Sequence, residues 1–141
     1  MNLEKSCGAV VFREIDNEIS FLIVESLNNH FSFPKGHSEF LESEVDTAIR
    51  EIKEETNIDV EINTNFREVI SYMPNERSVK NVIFFVAKAI NEDVVHQKEE
   101  LKSAKWMSFD EAYPILSFTN DKKVLSDALN FINLSYLGYL L

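Results

Sequence analysis

Apolar residues fall along the chain in short blocks, and their spacing assigns each block to an element. Residues 6–12 (SCGAVVF) and 19–25 (ISFLIVE) are rich in β-branched and aromatic side chains and predict two strands. The polar residues 14–18 between them predict a hairpin turn, and a polar loop at 26–30 leads into Phe31-Ser32-Phe33-Pro34-Lys35-Gly36-His37. Val45, Ala48, Ile49 and Ile52 recur at i, i+3, i+4 and i+7, the spacing of one helix face, and predict a helix over 44–56. Ser43 stands at its N-cap, with Asp46 where a capping box carries its acid, and Asn57 is suited to a left-handed C-terminal cap. Three strand-like runs follow at 58–62, 66–72 and 79–89. The last is apolar on both faces at 82–87 (VIFFVA), which predicts a strand inside a sheet. Residues 101–107 predict a further short strand. Ser108 and Glu111 form a capping box that opens a helix over 109–116, and Asn120 or Asp121 opens a last helix carrying Val124, Leu125, Ala128, Leu129 and Ile132. Strands outnumber helices and the first two form a hairpin. The expected class is therefore α/β (α+β), a sandwich around a mixed β-sheet, and not a Rossmann fold.

The 141 residues, 45% of them hydrophobic, predict one domain spanning 1–141 with a core that needs no disulfide or structural metal. Fourteen Lys and Arg against 24 Asp and Glu give a net charge of −10, which argues against bulk binding of nucleic acid. A nucleotide substrate stays open, but so acidic a protein needs cations to hold polyphosphate. Cys7 is the single cysteine, which excludes disulfides and Cys-based zinc sites within one chain. No apolar run approaches the ~20 residues of a spanning helix, and residues 1–5 do not begin a secretory leader. The expectation is a soluble, cytoplasmic protein with no membrane partner, a monomer or a homodimer.

Glu51, Glu54 and Glu55 span a narrow arc of the predicted helix, beside its apolar stripe rather than opposite it, with Glu44 pointing the same way. Glu51 and Glu55 are like charges at i, i+4, unfavourable by roughly 0.2–0.5 kcal/mol. Glu54 and Glu55 also occupy the last turn, where the helix dipole favours cations. Arg50, at i, i+4 from Glu54, offsets part of the repulsion. From these residues alone the cluster is either a solvated acidic face or a site for a hard divalent cation.

From Gly36, five residues lead to Glu42 and seven more to Arg50-Glu51-Ile52-Lys53-Glu54-Glu55-Thr56-Asn57-Ile58. This resembles the Nudix box, G-x5-E-x7-R-E-U-x-E-E-x-G-U, over residues 36–58, departing from it only at Asn57. The order of elements over 3–132 is similar to the Nudix fold, an α/β/α sandwich. Pro34-Lys35-Gly36-His37 resembles the entry to the box in asymmetrical diadenosine tetraphosphate hydrolases. So do Tyr72 with Lys80 eight residues later, and Glu100 six residues before Trp106. Phe40-Leu41 departs from that group's common Pro-Gly before Glu42.

The resemblance implies hydrolysis of a nucleoside polyphosphate with Mg²⁺ or Mn²⁺. It implies Glu51, Glu55, the Gly36 carbonyl and Glu100 as metal ligands, Glu54 as general base, with Glu51 and Glu100 as other candidates for that role, and Arg50 as the residue that orients the glutamates. Lys35, His37 and Lys80 are candidate phosphate contacts, and Tyr72 and Phe31 candidate base contacts. His30 and His96 read as plain surface residues, Phe118 as core, Trp106 and Cys7 as packing. The apolar tail 134–141 is open between packing on the domain, a dimer contact and a loose end. Diadenosine tetraphosphate, cleaved to ATP and AMP, is the implied substrate. RNA 5′ ends, nucleoside triphosphates or nucleotide sugars, or a non-catalytic nucleotide sensor, are the alternatives.

Overall fold

A computed structural model describes residues 1–137; the end of the apolar tail, 138–141, lies outside the described residues. The chain runs β1 (Asn2–Ile15), β2 (Glu18–Ser26), β3 (Phe31–Ser32), β4 (Lys35–His37), α1 (Glu44–Thr56), β5 (Val60–Asn75), β6 (Ser78–Ala89), β7 (Leu101–Met107), α2 (Phe109–Ile115) and α3 (Thr119–Ser135). The main sheet has the order β3-β2-β1-β6-β5, with β4 paired to β1 and β7 to β2. β1 and β6 run parallel, while the other pairs are antiparallel. The sheet is thus mixed, and the doubly apolar run 82–87 lies in an interior strand, as its pattern predicts.

The strand period of two sorts the core into two layers. Val10, Phe12, Phe21, Ile23, Val82, Phe84 and Val86 face one way and pack with α3 through Val124, Leu125, Ala128 and Ile132. Cys7, Ala9, Val11, Leu22, Ile83, Phe85 and Ala87 face the other way and pack with Ala48 and Ile52 of α1. Helices on both faces give the expected α/β/α sandwich. The hairpin turn is tighter than the polar stretch suggests: Asp16 (φ 53°) and Asn17 (φ 66°) form a two-residue turn with both residues left-handed. The strands predicted at 58–62 and 66–72 are one strand, β5. Both halves pair with β6, and the ladder shifts register between Asn63 and Arg67. The residues so displaced carry Phe66 into the core, 5.5 Å from the Phe131 ring. Of the tail, Leu134 is exposed, while Tyr136 and Leu137 pack against the core.

α1 has the predicted limits and cap residues, but only the Ser43 half of the expected capping box forms, with no return bond from the Asp46 side chain among the described residues. The Ser43 side chain accepts from the Asp46 amide, and Asn57 at φ 66° closes the helix by donating its N–H to Lys53. Two expectations fail nearby. Ile49 is 38% exposed, at the edge of the stripe. Glu44 does not join the acidic arc: its carboxylate accepts from Arg67 Nε at 2.9 Å and Nη2 at 3.0 Å, and Lys5 Nζ stands 3.0 Å away. It ties α1 to β5 and β1, and the Arg67 fork, aided by Lys5, holds it down at about 2. Depression of a folded-state carboxyl gives stability that is present above its unfolded value and lost as pH falls through the folded one. Glu44→Gln should therefore lower stability at pH 7 by roughly 0.5–1 kcal/mol, an exposed-pair magnitude. The two proteins should converge as pH approaches 2, which urea midpoints across that range will read.

α3 begins at Thr119 with Phe118 as N-cap and no side-chain cap. Neither Asn120 nor Asp121 caps it. Asp121 is instead 7% exposed inside the first turn, a placement that bears on the site.

Candidate active site

The short strand β4 sets the site. Ser6 pairs with His37, Cys7 with Gly36 and Gly8 with Lys35, so the segment preceding the helix is pinned along β1. α1 packs above it. The approach is so close that a Cβ on Gly36 would lie 2.1 Å from the Glu51 carboxylate, so only glycine leaves room for that oxygen.

Arg50 is the hub of the helix side. Its Nε and Nη2 reach Glu42 at 2.8 and 2.9 Å, a bidentate fork. Its Nη1 donates to Glu51 at 2.8 Å and to both oxygens of Glu54 at 3.3 Å, and Nη2 also reaches the His37 carbonyl at 3.0 Å. The Arg50 fork, the Thr47 hydroxyl and the Glu39 amide hold the Glu42 carboxyl at about 2. Glu42 therefore anchors Arg50, and Arg50 in turn orients Glu51 and Glu54.

Glu51 and Glu55 are less fully compensated. Glu55 is 8% exposed, and its Oε1 accepts from the Lys35 amide at 2.9 Å. Burial pushes its carboxyl up to about 7; Glu51 and Glu100 push the same way, against the Lys35 amide and ammonium. Burial also raises Glu51, with Glu54 and Glu100 adding to the shift against Arg50. Glu100 is brought in by the loop after β6: Val95 donates to the Thr56 carbonyl at 3.0 Å and Gln97 to the Glu55 carbonyl at 2.9 Å. Burial first, and mutual repulsion after it, thus disfavours the charged forms of Glu51 and Glu55.

A cleft of about 320 Å³ is lined by Ser6, Lys35, Gly36, His37, Glu51, Lys80 and Glu100. Six of these seven are residues that the resemblance singles out; Ser6 is the addition. Its hydroxyl is buried and has no hydrogen-bond partner among the described residues. Two carboxylates, Glu51 and Glu100, a carbonyl-bearing strand and an unpaired hydroxyl around one cleft suit a hard divalent cation. Among the described residues, no three His, Cys, Asp or Glu side chains are already gathered as a ligand cage. Arg50 holds the Glu51 carboxylate at 2.8 Å. Glu54, whose side chain is 50% exposed, and the buried Glu55 flank the cleft without lining it.

A second cavity, about 240 Å³, is lined by Lys35, Ile70, Tyr72, Val82, Phe84, Phe118, Asn120 and Asp121. Tyr72 and Phe118 are half-exposed at 45% and 48% and form aromatic walls, while Val82 and Phe84 are buried. Tyr72 therefore stands where a base could stack. Phe118, expected in the core, stands there too, with His30 edge-on to its ring at 5.1 Å. Phe31 does neither: it packs half-buried against the core and lines neither cavity. Its backbone instead bonds Ser117, amide to hydroxyl at 2.8 Å and carbonyl to amide at 3.1 Å, fixing the turn before Phe118. Lys35 lines both cavities and joins them. Burial lowers its ammonium against the pull of Asp121 and Glu55.

A family model described as the NUDIX domain matches residues 4–129. The chain is 34% identical over 140 residues to the asymmetrical bis(5′-nucleosyl)-tetraphosphatase of Sus scrofa, an alignment that covers 91% of this chain and 95% of that protein. A crystal structure of a Caenorhabditis elegans Ap4A hydrolase binary complex superposes with a TM-score of 0.83 at 30% identity, covering 92% of this chain and 97% of that one. The NUDIX domain of Shewanella oneidensis NrtR, complexed with ADP ribose, shares the fold at 16% identity, with a TM-score of 0.75 and coverage of 94% of this chain and 89% of that one.

Proposed function

This chain belongs to the Nudix family and is a hydrolase, and from that premise we propose that it cleaves dinucleoside tetraphosphates asymmetrically, diadenosine tetraphosphate being the reference substrate and ATP and AMP its products. One observation carries the reading. An acidic, lysine-bordered cleft and an aromatic-walled slot share Lys35, so a polyphosphate can lie in the first while one base enters the second. The similarity to tetraphosphatases over nearly the whole chain supports it.

Nudix hydrolases use divalent metal ions, and Mg²⁺ or Mn²⁺ fits the oxygen donors here: the Glu51 and Glu55 carboxylates, the Gly36 carbonyl and Glu100. Such an ion neutralises phosphate charge and raises the acidity of bound water. The chain's own residues supply the rest. Lys35 and Lys80 border the cleft and offset the remaining charge of the polyphosphate, with His37 beside them as a further phosphate contact. Glu54, held among the described residues by long 3.3 Å contacts to Arg50, is free to accept the proton of the attacking water at its carboxylate. Water adds to the outermost phosphorus on one side, the bridging oxygen leaves with the ATP moiety, and the new P–O bond completes AMP. Arg50, anchored by Glu42, keeps Glu51 and Glu54 in register for this step.

The test is a substrate panel with Mg²⁺ or Mn²⁺: diadenosine tetraphosphate, triphosphorylated RNA, nucleoside triphosphates and ADP-ribose. Preferential turnover of the tetraphosphate to equimolar ATP and AMP is expected. Turnover confined to ADP-ribose or to RNA would overturn the reading. Lys80→Ala should raise KM severalfold, since it removes one phosphate contact and no hydrogen bond made by its side chain among the described residues.

A further inference from the structure

The aromatic-walled slot has a polar end that the reaction leaves unused. Asp121 is 7% exposed and lines the cavity, yet its carboxylate accepts no hydrogen bond among the described residues. It is not the cap of α3, whose N-cap makes no side-chain bond at all. A favourable helix dipole alone would be served as well by an exposed acid in the first turn. A carboxylate this little exposed, with the Lys35 ammonium as its charged neighbour, has given up most of its hydration, so a donor entering the slot meets an acceptor with free lone pairs. Burial raises this carboxyl to about 6 and the Lys35 ammonium opposes the shift, which leaves it largely ionised at neutral pH. Among the described residues Lys35 Nζ makes one hydrogen bond, to Ser32 Oγ at 3.2 Å, and Asn120 stands beside Asp121 on the same wall.

Size and chemistry narrow the occupant. A cavity near 150 Å³ takes one benzene ring, so about 240 Å³ is the scale of a bicyclic base and not of a dinucleotide. Tyr72 and Phe118 line the cavity and are half-exposed, two aromatic side chains of the kind on which a flat base stacks. An ionised carboxylate only accepts. Guanine offers it two adjacent donors, N1–H and the 2-amino group, with O6 beside them for the Lys35 or Asn120 donors. Adenine offers one amino group next to N1, an acceptor that would face the carboxylate's own lone pairs.

We propose that Asp121 is the specificity-determining residue of the slot and selects guanine over adenine at one end of the dinucleotide. This rests on the dinucleoside polyphosphate reading for its physiological meaning. The preferred substrate then carries guanosine at that end, as in diguanosine or mixed adenosine–guanosine tetraphosphate.

Equilibrium binding of GMP, IMP and AMP to the metal-free protein, by calorimetry, tests the slot without any turnover. The expected order is GMP, then IMP, then AMP, with roughly tenfold between first and last, the worth of one bidentate base contact. Asp121→Asn exchanges one acceptor for a donor and should reverse the GMP-to-AMP ratio, with circular dichroism confirming the fold. Equal affinities of the native protein for GMP and AMP, or a ratio unmoved by Asp121→Asn, would overturn the proposal. Should that variant not fold, the native GMP, IMP and AMP series decides alone. Comparing kcat/KM on diguanosine and diadenosine tetraphosphate separates the two claims. No turnover of either with the GMP preference intact defeats the tetraphosphatase reading only. Equal turnover of both with equal GMP and AMP binding defeats the assignment of Asp121 only.

Discussion

Glu54→Gln should lower turnover by roughly 10²–10⁴-fold, the contribution of a general base, and leave the stability of the metal-free protein unchanged. Its side chain is half exposed, and among the described residues its carboxylate bonds Arg50 alone, at 3.3 Å. Glu55→Gln should also abolish most turnover but raise metal-free stability. Burial, with Glu51 and Glu100 adding to it, holds Glu55 at about 7 in the folded protein against an ordinary 4.5. The folded state then binds the proton more tightly than the unfolded one, so native stability declines as pH rises through this window and stays lower above it. At about 1.36 kcal/mol per pH unit, the loss reaches about 3 kcal/mol by pH 8. Glutamine still accepts from the Lys35 amide and carries no charge, so the variant should show little of this slope. Urea midpoints at pH 5 and 8 in chelator will separate the two proteins. Millimolar Mg²⁺ should raise the melting temperature of the native protein and much less that of the variant. A Glu55→Gln protein that unfolds without metal would mark the residue as structural and sink its role as a ligand.

The sequence already carries the features that depend on local spacing. The limits and caps of α1, the Ser108–Glu111 box and the hairpin follow from residues within a few positions of one another. So does the acidic arc, whose like-charge pair at i, i+4, Glu51 and Glu55, is anomalous for a helix shaped by stability alone. What is illegible depends on partners distant in sequence. Glu44 has the angular position of the acidic arc, but Arg67 on β5 and Lys5 on β1 claim it. The two runs at 58–62 and 66–72 read as separate strands because a register shift looks like a turn until the shared partner β6 is known. The slot is the largest omission. Tyr72 comes from β5, Lys35 from β4, and Phe118, Asn120 and Asp121 from the α2–α3 junction, so no short motif links them. Asp121 resembles an ordinary helix-opening acid; only its burial distinguishes it. Ser6 likewise reads as one more strand residue until its hydroxyl proves unpartnered.

Gly36→Ala should leave the protein folded and reduce turnover by about 100-fold, the effect of displacing a reacting group by about an ångström. The added methyl would sit 2.1 Å from the Cδ and Oε2 of Glu51, so the carboxylate must swing away. It is the far end of a flexible side chain, and its Arg50 contact at 2.8 Å can be remade in another position. The backbone of β4 need not move. Gly8→Ala is the opposite case. There the methyl would lie 2.1 Å from the Pro34 carbonyl and 2.6 Å from the Lys35 Cβ, atoms fixed by the β1–β4 ladder. The strand must part from β1, at a cost of about 1–3 kcal/mol or more for overpacking. The two alanines should therefore separate chemistry from folding at neighbouring positions of one ladder. Gly36→Ala should keep the native melting temperature in chelator and lose its response to Mg²⁺, whereas Gly8→Ala should melt early with or without the ion. Native turnover in the Gly36→Ala protein would show that Glu51 need not occupy this position, and with it the assignment of Glu51 and the Gly36 carbonyl as joint ligands would fail.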